Sequence, residues 1–156
     1  MADKSFFNEL QRALARPDVA DLIANLEDYH RFSEDTFANK PLAEICDNES
    51  HGNYTFVMDA HWDDPDSGIA YLALAMSRYD DPRFLGVMAA GLLEDLLGDP
   101  TPEMLDRIIA EARKTPRFRW MLSGVWLHAI AERARAPVEK AVGGWELEQP
   151  LPPRPF

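Results

Sequence analysis

The densest group of side chains able to do chemistry is Asp59-Ala60-His61-Trp62-Asp63-Asp64-Pro65-Asp66. Carboxylates and imidazoles are the usual ligands of divalent ions. Asp59, His61, Asp63 and Asp66 are therefore weak metal candidates, or carboxylates for a ligand or reaction site. Their spacing is not that of an EF-hand loop, because the required glycine is missing and Ala70 falls where the closing glutamate would stand. Helix capping by Asp64 or Asp66 accounts for two of the carboxylates without any ion.

Glu94-Asp95 interrupts the apolar run LLEDLL. The pair either faces solvent or an arginine, or lies at a helix–helix seam and binds something. His30 falls beside an apolar stripe and His128 lies near the end of another, and both read as packed or edge histidines. There is no G-x-S-x-G, Walker or G-x-G-x-x-G sequence and no H-E-x-x-H pair. Catalysis is unsupported, and no cofactor is expected. Cys46 is the only cysteine, which excludes an internal disulfide or a thiolate metal cluster. It reads as a small apolar filler.

The elements that must position these groups are helices. The organising stretch is 80–131, where Pro82-Arg83-Phe84 recurs 34 residues later as Pro116-Arg117-Phe118. Each tripeptide follows a residue able to cap a helix, Asp81 or Thr115, and proline suits the first helical position. A period of that length matches one two-helix unit of a stacked α-repeat. It pairs Met88 with Leu122, Leu92 with Trp126, and Leu93 with Leu127. Helices are expected over 3–15, from Asp18 past His30, and over 66–79, 82–97 and 102–114. A last long helix over 116–135 is followed by Pro137 and a short helix over 138–142. A further short helix with Leu42, Ile45 and Cys46 fits after Pro41. Residues 54–58 (YTFVM) read either as an extended segment or as the lead-in to a helix.

The fold expected is all-α, with six or seven helices and a C-terminal half of stacked antiparallel pairs. Residues 1–144 make one helical domain, with N-terminal helices and a loop over 1–60 and a helical-pair core over 61–142. Residues 145–156 form a tail with four prolines in its last seven residues, expected to be extended and mobile. Its PLPPRP resembles an SH3-type ligand in composition.

The net charge is −11, concentrated in residues 1–100, which carry 20 acidic and 7 basic side chains. That sign excludes ordinary nucleic-acid binding, where phosphates call for Lys and Arg. No window is apolar enough for a membrane span and no secretory signal is read, so a cytoplasmic location is expected.

At Gly91-Leu92-Leu93-Glu94-Asp95-Leu96-Leu97, then Pro116-Arg117-Phe118-Arg119 and Gly124-Val125-Trp126, the chain resembles a bacterial all-helical family of unknown function. The family pattern runs G-P-L-E-D-L-L, D-R-I-E-x-E-A, F-R-x-x-L-x-x-V-W, and residues 106–112 (DRIIAEA) resemble its middle piece. The resemblance covers residues 62–135. Leu92 stands where the family has proline, so a proline kink is not implied. The resemblance implies a shared structural or binding seam of Gly91, Glu94, Asp95, Arg119 and Trp126. It carries no activity.

The reading these observations support is a protein-interaction module for a basic partner, in its specific form an immunity- or antitoxin-like inhibitor. The alternatives are a metal or small-ligand binder or enzyme using the 59–66 loop, and a structural homodimer.

Overall fold

Prolines start four of the helices. Pro65, Pro82, Pro102 and Pro116 each occupy the opening turn, where the missing N–H costs no helical bond. The computed structural model describes residues 9–41, 52–143 and 149–154. Helix α1 is Glu9–Leu14, α2 Val19–Phe37, α3 Tyr54–Met58, α4 Ala60–Asp63 and α5 Pro65–Arg78. Helix α6 (Pro82–Met88) runs through a π turn at Ala89–Leu93 into α7 (Glu94–Leu96). Helix α8 (Pro102–Lys114), α9 (Pro116–Leu122), a 3-10 turn at Leu127–Ala129 and α10 (Glu132–Val142) complete the order. Among the described residues all regular structure is helical, with no strand. None of their helices is long and apolar enough to cross a membrane.

Helix α5 is the centre. Every residue from Ser67 to Met76 is buried, and α1, α2, α4, α6, α9 and the π turn all pack on it. A helix apolar all round belongs inside a core. The sequence suggested a single inward face of Ile69, Leu72, Ala73, Met76 and Tyr79; Ala70, Tyr71, Leu74 and Ala75 are enclosed as well. The small residues of α5 permit that crowding. A Cβ on Gly68 would stand 3.1 Å from Leu96 Cδ2. The organising element is thus one step earlier than the expected 80–131 stretch.

Capping differs from expectation in two places. Asp81 accepts the Arg83 N–H at 3.0 Å, and Thr101 accepts that of Met104 at 3.1 Å. Asp64 instead accepts the Ser67 hydroxyl, and Thr115 turns its hydroxyl to Glu111. The two Pro-Arg-Phe copies share their helix start and their phenylalanine, with Phe84 and Phe118 both fully buried. Their arginines diverge. Arg83 lies over the Phe37 ring, whereas Arg117 is buried and donates to the Met76 and Tyr79 carbonyls at 2.8 and 2.9 Å.

The expected helix over 116–135 is broken. It ends at Leu122, and the chain turns through Ser123 and Gly124 before α10. The repeat therefore fails where Leu92 corresponds to Trp126: Leu92 is buried but Trp126 is 67% exposed. Ala129 is exposed as well. Pro137 lies inside α10 rather than before it. Residues 54–58 are helical, not extended. On α1, Leu10 and Ala13 are buried and Leu14 is exposed. The expected contributions of Phe6 and Phe7, and of Leu42, Ile45 and Cys46, lie outside the described residues.

The described part of the tail, residues 149–154, forms neither helix nor strand and is docked. Trp120 Nε1–H donates to the Gln149 carbonyl at 3.1 Å and Arg117 to that of Pro152 at 2.8 Å. Asp80 joins both sides, accepting from Arg117 and from Arg154. Those hydrogen bonds, from Arg154 first and Arg117 second, pull the Asp80 carboxyl down to about 2.

Candidate functional site

The run from α6 to α7 buries residues in pairs every four positions: Phe84-Leu85, Met88-Ala89, Leu92-Leu93, Leu96-Leu97. A spacing of four drifts by about 40° per step against the 100° per residue of an α-helix, so three steps accumulate about 120°. One extra residue in a π turn returns about 100° of that. The π turn at Ala89–Leu93 thus keeps both halves of the run on the core, and it delivers Glu94 and Asp95 to the outside.

Those two carboxylates serve different neighbours. Glu94 Oε2 accepts the backbone N–H of Trp126 at 3.1 Å and holds the turn that follows α9. Asp95 Oδ2 lies 3.8 Å from His61 Nδ1, which is also 3.0 Å from the Met58 carbonyl oxygen. Asp95 further adds to the burial that pushes the Tyr29 hydroxyl up to about 12.

Two open clefts flank the pair. One of about 380 Å³ has His61, Trp62 and Pro65 on one wall and Asp95, Asp99 and Thr101 on the other. The second, also of about 380 Å³, lies beside Trp126 and is lined by Leu122, Val125, Leu127, Val138 and Val142, with Glu139 at its rim. Trp62 is 82% exposed and Trp126 67%. Bare indole faces beside carboxylates match the chemistry of a guanidinium or ammonium group, which can stack on the ring and pair with the acid.

The structure joins Glu94 to Trp126 within the expected seam and places Asp95 on the adjoining cleft. Gly91 sits in the π turn, where a Cβ would meet only Tyr29 Oη at 3.7 Å. Arg119 is half-buried on α9 and lines neither cleft. The four weak metal candidates separate. Asp59 and Asp63 are exposed, and His61 turns to Asp95. Asp66 points the other way, to Arg107, which also holds buried Glu9 through two bonds of 3.0 and 2.8 Å. Glu9 hydrogen bonding, then that of Asp66, raises the Arg107 guanidinium above its ordinary value, with burial opposing. The cause of this separation is the start of α5 at Pro65, which puts Asp63 and Asp66 on different helices. His30 is packed as expected, with ring centroids 4.6 Å from Tyr79 and 4.7 Å from Phe84. His128 is exposed. Trp62 carried no role of its own in the sequence pattern; its place in an acid-rich, proline-broken stretch was the available signal.

The profile of one family, described as "Family of unknown function (DUF6869)", matches residues 43–144. No curated protein and no solved structure matches the chain.

Proposed function

The chain belongs to DUF6869, a family of unknown function, and we propose from that premise that it is a protein-interaction domain for a basic polypeptide. The surface it uses carries Trp62, Glu94, Asp95 and Trp126. The carrying observation is the exposure of both tryptophans, 82% and 67%, beside the Glu94–Asp95 pair. Tryptophan and arginine are the residues that most often anchor interfaces. The net charge of −11 favours a partner of opposite sign and speeds the encounter. In its specific form the domain is an immunity- or antitoxin-like inhibitor that blocks such a partner one-to-one.

The test is quantitative capture from host lysate with the wild type and with a Trp62→Ser/Trp126→Ser variant. A stoichiometric basic protein should be retained by the wild type and released by salt. The variant should bind it at least about tenfold more weakly, since each anchor removed costs upwards of 1 kcal/mol. Equal retention by the variant would remove this surface from the proposal. A solution mass of twice 17.7 kDa with no captured partner would favour the homodimer instead.

A further inference from the structure

A second group of side chains, sharing no residue with that surface, has the makeup of a cation site. His30 and Glu34 lie one turn apart on α2, which brings them onto one face. Asp81 comes from the cap of α6. His30 Nε2 is 3.6 Å from Glu34 Oε1 and 3.6 Å from Asp81 Oδ2. All three ligand atoms lie within 4.8 Å of one another. Around a tetrahedral ion with bonds of about 2.0–2.1 Å, ligand atoms stand about 3.3 Å apart. The two imidazole-to-carboxylate spacings are within a few tenths of an ångström of that value.

Two of the three donors are held in place. The His30 ring is clamped between Tyr79, with centroids 4.6 Å apart, and the edge-on Phe84 ring at 4.7 Å. Asp81 uses Oδ1 to accept the Arg83 N–H, which leaves Oδ2 turned to the imidazole. Fixing ligands through their neighbours is how proteins prepare metal sites. Glu34, with its side chain 56% exposed, is the arm free to close on an ion.

Charge argues the same way. The arginines nearby are engaged elsewhere: Arg31 with Asp28, Arg78 with Glu27, and Arg83 over Phe37. Among the described residues, neither Glu34 nor Asp81 is paired with a lysine or arginine. Two carboxylates converge on one imidazole.

We propose that His30, Glu34 and Asp81 bind a divalent first-row transition cation, with water completing its shell. One imidazole and two carboxylates suit ions of the zinc and cobalt type, which accept mixed nitrogen and oxygen donors. This site is separate from the interaction surface, and its test does not depend on a partner.

The experiment is titration of chelator-treated full-length protein with Zn²⁺ by calorimetry, with Co²⁺ absorption as a second readout. One equivalent should bind per chain, with a rise in Tm. Asp81→Asn keeps a capping side chain, and Glu34→Gln changes an exposed one, so both should retain wild-type helicity. Each should weaken Zn²⁺ binding by about tenfold or more. Absence of both heat and Tm shift with the wild type would overturn the proposal. So would one equivalent bound with unchanged affinity by both folded variants, because the ion would then sit elsewhere.

Discussion

Gly68 and Gly91 show what a single position contributes. Both are helical, but they differ in packing: a Cβ at Gly68 would sit tightly against Leu96 at 3.1 and 3.3 Å, so that side chain must give way, whereas at Gly91 the nearest atom is Tyr29 Oη at 3.7 Å. Overpacking a well-filled core costs about 1–3 kcal/mol, while Gly→Ala at an unstrained site gains about 0.4–1 kcal/mol through the unfolded chain. Gly68→Ala should therefore lower the urea midpoint and Gly91→Ala should leave it unchanged or raise it. Destabilisation by Gly91→Ala of the size seen for Gly68→Ala would show that the π turn demands glycine after all. The family resemblance singled out Gly91, and Gly68 had no role in the reading of the sequence. The difference between them is made by Leu96, 28 positions further on.

Ties between elements are made by a few buried ionic groups. Arg107 on α8 holds Glu9 of α1 and Asp66 of α5, and Glu9 is 6% exposed. Arg107→Ala would leave that carboxylate buried and unpaired, at a cost of about 3–5 kcal/mol for a fully buried pair and less here, where the arginine is partly exposed. A loss below about 1 kcal/mol in chemical denaturation would show that water replaces the guanidinium. The tail is tied by Asp80. Its folded pKa, about 2, lies below the ordinary carboxylate value, so its contribution is complete above the ordinary value and disappears as pH falls toward 2. The stability difference between wild type and Asp80→Asn should accordingly be constant above about pH 5 and vanish toward pH 2. A difference that persists unchanged at the acid end would mean that the Arg117 and Arg154 contacts do not depend on the Asp80 charge.

For the molecule as a whole, the distribution of charge decides how an encounter begins. Residues 1–100 carry most of the acidic excess, and both tryptophan-bearing clefts draw on carboxylates from that part, Asp95 in one and Glu94 beside the other. Association with a basic partner should slow steeply as salt is raised from low to physiological ionic strength, where the Debye length falls to about 8 Å. Dissociation should change much less, since it is governed by the buried anchors. Stopped-flow measurements at several salt concentrations separate the two. A flat association rate would mean that the acidic surface serves solubility and not recognition.

Periodicity, prolines and caps determined most of the helices by themselves, since those signals are local: Pro65, Pro82, Pro102 and Pro116 open helices wherever the rest of the chain goes. The Gly91–Leu97 pattern likewise pointed to the family and to Glu94 and Trp126, which the fold joins through one hydrogen bond. The break at Ser123 was not legible, because Leu122 through Ile130 keeps helical spacing. What ends the helix is tertiary: the Trp126 N–H goes to Glu94, and the Ala131 N–H to the Leu97 carbonyl at 2.9 Å. The 59–66 cluster looked like one site because its members are neighbours in sequence, and the start of α5 at Pro65 divides them. The cluster of His30, Glu34 and Asp81 shows the reverse case. A residue 47 positions beyond Glu34 completes it, and only the packing of α2 against α6 could bring it there.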